Sequence, residues 1–105
     1  ARSLREAEVL NRDAALLDLS RELVASDASL RQLTEHAELY RTEVLPRSRE
    51  TEEAVLLAYG NERADFAELV RAELALLDNE LALYRTEVDR LKIQARLMFL
   101  VGDPS

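Results

Sequence analysis

The sequence predicts an all-α fold, a long antiparallel helical hairpin or coiled coil. Three observations predict it. Between Ala1 and Leu100 only Pro46 and the pair Gly60-Asn61 offer a place to stop a helix. Val70, Leu74, Leu77, Leu81, Tyr84, Val88, Leu91, Ala95 and Met98 follow one another at alternating steps of 4 and 3, with no polar member. That is a heptad seam, and a seam of this kind needs a covering helix. Upstream, Leu16, Leu19, Leu23, Ser26, Leu30, Leu33, Ala37, Tyr40 and Val44 make a matching run with one polar member.

The elements follow in order. Ser3-Leu4-Arg5-Glu6 fits a capping box, in which the Ser oxygen accepts from an N–H three residues on. The long first helix expected over about 3–59 also carries a second stripe, Ala7, Leu10, Ala14, Leu17, Val24 and Ala28. Two stripes on one helix imply neighbours on two sides, as in a bundle or a barrel of helices. Ser26 to Ser29 is a weak spot, but both stripes run through it in phase, so a continuous helix is expected. Pro46 lacks an N–H and follows Leu45, which is no N-cap, so it reads as a kink in a continuing helix.

Gly60 stands where a C-terminal cap needs positive φ, and Asn61 is a favoured N-cap. The tip is therefore expected at Gly60-Asn61, with Glu62 and Asp65 in the first turn of a second helix over about 62–100. Replacing Gly60 by Val is then expected to destabilise the turn. Gly102-Asp103-Pro104 ends that helix. It reaches back only to about residues 20–25, which leaves the stripe of residues 1–20 without a partner and predicts self-association. The hexapeptide Leu39 to Val44 recurs letter for letter as Leu83 to Val88. Folding at the tip brings Tyr40 close to Tyr84, so the two tyrosines are expected to pack across the seam.

Composition narrows function. The chain has 105 residues, so at most one domain is expected. Hydrophobic residues make up 48% but aromatics only 5%, with 33% charged, which is long-helix composition rather than that of an α/β enzyme. A net charge of −7 with scattered basic residues argues against nucleic acid as a partner. There is no Cys, and no stretch approaches the ~20 apolar residues of a membrane span. No catalytic constellation, cofactor site or metal site is expected. His36 is the only imidazole, reading as a solvated surface residue, and the acidic runs Glu52-Glu53 and Asp78-Asn79-Glu80 read as solvated helix faces. The N-terminus, Ala1-Arg2-Ser3, has no apolar signal region behind it, and the heptad pattern starts almost at once, so the chain reads as a segment of a larger protein. The one functional candidate is the tip, where Tyr59, Gly60, Asn61, Glu62 and Arg63 place an aromatic and both charge signs at the end of a long lever.

Leu39-Tyr40 through Leu45-Pro46, Ala54 to Tyr59, the turn, Ala64-Asp65-Phe66 with Leu69, and the closing Leu97 to Gly102 resemble the last periplasmic helical hairpin of the TolC-like outer membrane efflux factors, the heavy-metal and multidrug branches in particular. The resemblance covers residues 37–102 and extends to 1–36 only by periodicity. It implies a trimeric protein whose helices form a hollow periplasmic duct below an outer-membrane β-barrel, with the turn meeting a periplasmic adaptor protein. It implies that Tyr59 lies at the closed end of the duct and that Asp65 and Glu68 lie near its entrance. The family's usual glycine three residues after the tyrosine is Glu62 here, and Arg71 stands where some members carry a further acid. Two other readings compete: the hairpin of the periplasmic adaptor itself, and a coiled-coil interaction module unrelated to transport.

Overall fold

The computed structural model describes residues 3–102, so the start at Ala1-Arg2 and the stop at Asp103-Pro104 lie outside the described residues. Two long rods pack antiparallel as an extended hairpin. The first consists of α1 (Leu4–Leu39), a five-residue π turn (Tyr40–Val44) and α2 (Leu45–Gly60), and the second is α3 (Phe66–Val101). The molecule measures 86 × 29 × 17 Å, a slab rather than a globule.

α1 begins as the sequence predicts: the Glu6 N–H donates to Ser3 Oγ at 3.2 Å. It continues through Ser26 to Ser29 without a break. The interruption comes later, and as a π turn rather than a sharp kink. Pro46 has no N–H to give the Thr42 carbonyl, and its ring would crowd that carbonyl in a regular helix. The preceding turn widens instead, and the Leu45 N–H donates to the Tyr40 carbonyl, five residues back.

The π turn resets the heptad. Before it, Leu19, Leu23, Ser26, Leu30, Leu33, Ala37 and Tyr40 are among the half-buried or buried positions; after it, Leu45, Ser48, Glu52 and Val55 are. The two most buried of these, Ala37 and Leu45, are eight positions apart, one more than a heptad. The extra residue is absorbed by the wide turn, and the same side of the rod stays against α3. The upstream run is thus the packing stripe, apart from Leu16, which is exposed because α3 ends short of it.

For α3 the expected seam is not the packing seam. The side facing the first rod is Leu69, Ala72, Leu76, Asn79, Leu83, Thr86, Arg90, Ile93, Leu97 and Leu100, every one buried or half-buried. The apolar stripe Val70 to Met98 lies on roughly the opposite side, about 160° round the helix at ~100° per residue. Leu74 is 53% exposed, Leu91 60% and Tyr84 67%. Thr86 is 7% exposed and satisfied by donating to the Ala82 carbonyl at 2.9 Å. Asn79 donates to Ser48 Oγ at 3.1 Å across the seam. Polar groups with partners are tolerated at a helix contact, so their presence does not disqualify a stripe. The Tyr40–Tyr84 contact is overturned for the same reason: Tyr40 sits on the seam, but Tyr84 points away from it.

The repeat is nevertheless where the rods are tied. Arg41 pairs with Glu87, and Glu87 also pairs with Arg90 at 2.7 Å. Glu38 adds a longer contact to Arg41 at 3.6 Å. Toward the open end Arg96 pairs with Glu22. Above that bridge the first rod is uncovered: from Leu4 to Asp18 all but Ala7 are exposed. The second stripe of α1 is exposed as well, including Leu10, Leu17 and Val24.

Candidate functional site

The reversal lies just beyond Gly60. Gly60 is the last residue of α2 and has no positive φ; that conformation belongs to Glu62, at φ 59. The Arg63 N–H donates to the Ala58 carbonyl at 2.7 Å and the Glu62 N–H to the Tyr59 carbonyl at 3.1 Å. This is a complete Schellman cap built without glycine, and the left-handed residue is a glutamate. Asn61 is the C-cap of α2, not the N-cap of the next helix. That role falls to Asp65, whose Oδ1 accepts from the Glu68 N–H at 2.8 Å. The second helix therefore starts at Phe66, four residues later than its sequence start at Glu62. The signal was present in Asp65-x-x-Glu68 before an apolar run, a capping pattern like that at Ser3.

The five tip residues do come together. Tyr59, Gly60, Asn61, Glu62 and Arg63 are all exposed at the end of the rods. The Tyr59 ring leans on Phe66 across the turn, with centroids 6.2 Å apart and planes tilted 55°. Phe66 itself is largely exposed, and Leu57 is 69% exposed. An open depression beside the turn is lined by Glu53, Leu56, Leu57, Gly60 and Asn61. The tip thus shows solvent an apolar surface of two aromatics and two leucines, rimmed by Glu53, Glu62 and Arg63. Sequence reading named the turn but missed Leu57 and Phe66. Both point away from the packing seam, and nothing in their spacing reports that.

Asp65 and Glu68 share the positive end of the α3 dipole. Asp65 is occupied in capping, and its carboxylate accounts for itself without a ligand. His36 is exposed, with its ring 4.8 Å from that of Tyr40. It borders an open groove with Gln32, Asp89 and Lys92. Among the described residues no three His, Cys, Asp or Glu side chains gather as a metal site would require. No described helix is long and apolar enough to cross a membrane.

The two broad faces of the slab differ in charge. The Arg41–Glu87 pair bridges the rods on one face and the Arg96–Glu22 pair on the other. On α3, helical spacing puts the exposed Glu73 and Glu80 on the same side as Glu87, and Arg71, Arg85 and Lys92, with Asp78 and Asp89 among them, on the side of Arg96. The apolar stripes occupy the edges.

Comparison with known protein families, with curated proteins and with solved structures found no match to this chain.

Proposed function

We propose that this hairpin is a periplasmic wall segment of a TolC-like outer membrane efflux duct in a Gram-negative cell, with its tip docking a periplasmic adaptor protein. The observation that carries the reading is the placement of apolar surface at both outer edges of the slab. A wall a single layer of helices thick needs apolar contacts sideways and polar groups on its two faces. α1 offers Leu10, Leu17 and Val24 on its outer edge, and α3 offers Leu74, Leu77, Leu81 and Leu91 on the other. The tip adds support. Position 62 adopts the left-handed conformation that glycine favours, and it is where the resembled family has its glycine. The exposed Tyr59, Leu57 and Phe66 suit a contact with a second protein at the end of the lever. In this role the segment performs no chemistry; it forms a passage, and the parent protein is a trimer.

An antiserum raised against this chain tests the proposal. It is expected to detect the parent polypeptide in the outer-membrane fraction. A photo-crosslinker at Leu57 is expected to capture a periplasmic protein of the adaptor class. Loss of the gene is expected to lower tolerance to toxic metal ions or drugs. Detection of the parent in the cytosolic fraction alone overturns the reading.

A second reading, a coiled-coil interaction module, is favoured by one observation: the stripe of α3 that has no polar member is exposed at seven of its nine positions.

A further inference from the structure

We infer that the free chain associates with a second copy of itself in parallel, through the outward stripe of α3. The inference concerns the chain on its own and stands or falls separately from the duct reading.

Three observations carry it. The stripe from Val70 to Met98 is a heptad seam about 42 Å long at ~1.5 Å per residue. It holds no polar residue, and seven of its nine members, Leu74, Leu77, Leu81, Tyr84, Leu91, Ala95 and Met98, are exposed. The packing seam, by contrast, holds Asn79, Thr86 and Arg90. The better coiled-coil surface of α3 is the one its own hairpin leaves open.

Steps of 4 and 3 make Leu74, Leu81, Val88 and Ala95 the a positions and Val70, Leu77, Tyr84, Leu91 and Met98 the d positions. The flanking positions then separate by charge. The g row is Glu73, Glu80, Glu87 and Gln94; the e row is Arg71, Asp78, Arg85 and Lys92. In a parallel pair each g residue faces the e residue five positions on in the other copy. Glu80 then faces Arg85, Glu73 meets Asp78 as the one repulsive pair, and Glu87, which its own hairpin holds on Arg41 and Arg90, keeps its negative charge on the side of Lys92. An antiparallel pair sets the acidic row against its own copy along its length, which is unfavourable.

The outer edge of α1 is a poorer partner. It breaks its apolar run at Arg21, and its flank carries Glu6, Asp13 and Asp27, which in an antiparallel pairing would lie against the acidic row of α3. The hairpin does not obstruct the dimer, because the stripe faces roughly the opposite way from α1 and α2.

Since the chain has no Cys, single cysteines report the arrangement directly. In a parallel pair Met98→Cys lies against its own copy and is expected to give a disulfide dimer on mild oxidation. In an antiparallel pair, where a positions face d positions, it does not, and only a mixture of Leu74→Cys and Met98→Cys chains cross-links. Sedimentation equilibrium of the unmodified chain is expected to give the mass of two copies. Glu80→Arg is expected to weaken the dimer at least severalfold, and Glu80→Arg with Arg85→Glu to restore it. A monomer or a three-copy mass at high micromolar concentration, or cross-linking confined to the Leu74→Cys and Met98→Cys mixture, overturns the inference.

Discussion

The Arg41 guanidinium, in the first copy of the Leu-Tyr-Arg-Thr-Glu-Val hexapeptide, pairs across the hairpin with the Glu87 carboxylate in the second. The repeat thus meets itself, but only one of its two cross-pairs forms. Glu43 and Arg85, the reciprocal residues, are both exposed. The π turn through Tyr40–Val44 accounts for the asymmetry, since it distorts one copy and not the other.

A double-mutant cycle of Arg41→Ala with Glu87→Gln is expected to give a coupling of about 0.5–1 kcal/mol, because Arg41 is part-exposed and solvent screens the pair. The coupling should shrink in about 1 M salt. Coupling indistinguishable from zero at low salt would show the pair to be ornamental.

Glu62 holds a left-handed conformation that costs a side chain about 1–2 kcal/mol. Glu62→Gly removes that cost but loosens the unfolded chain, for a net gain of about 0.5–1 kcal/mol. Its melting temperature is expected to rise; an unchanged or lower value would mean that the reversal does not pass through this residue.

Gly60 gives the opposite lesson to its sequence reading. Its φ is not positive, and a Cβ there would meet nothing within 4 Å. Gly60→Ala is therefore expected to stabilise by about 0.5–1 kcal/mol, as in other helical positions. Denaturant titration measures this, and a clear loss of stability would restore the glycine to the turn. The sequence-based expectation that Gly60→Val destabilises the turn rested on a positive φ that the residue does not have.

Asp65 caps α3 through the Glu68 N–H. Asp65→Ala is expected to cost about 1 kcal/mol, and Asp65→Ser much less, since Ser caps nearly as well. Ser3→Ala should hardly move the global transition, because Ser3 caps an end of α1 that α3 does not cover. Equal losses at Asp65 and Ser3 would contradict the uneven coverage of the first rod.

The fold class was legible because so few residues in this chain can end a helix, and the tip was placed within two residues by Gly60-Asn61. Helix α1 ran as read, down to its Ser3 cap. What remained hidden was rotation. α3 has two heptad stripes on roughly opposite sides, and absence of polar residues favoured the wrong one. Asn79 finds Ser48, Thr86 bonds its own backbone and Arg90 finds Glu87. The Asn79–Ser48 pairing is invisible until the rods are laid together, and the other two, local to α3, do not by themselves say which stripe packs. The same rotation hid Leu57 and Phe66 at the tip. The π turn was half legible: Pro46 announced a disturbance, but the widening upstream of it depends on keeping both Ala37 and Leu45 inward.

The wide turn also makes part of the first rod tolerant of shortening. Helix on either side of Tyr40–Val44 is in phase only because one surplus residue is looped out between them. Excising Thr42 together with Pro46→Ala, which removes the ring that forces the turn open, leaves a plain α-helix whose two halves still present Ala37 and the former Leu45 to the same neighbour. The same excision at Ala25 would swing every side chain below it by ~100° and strip the rod of its contacts.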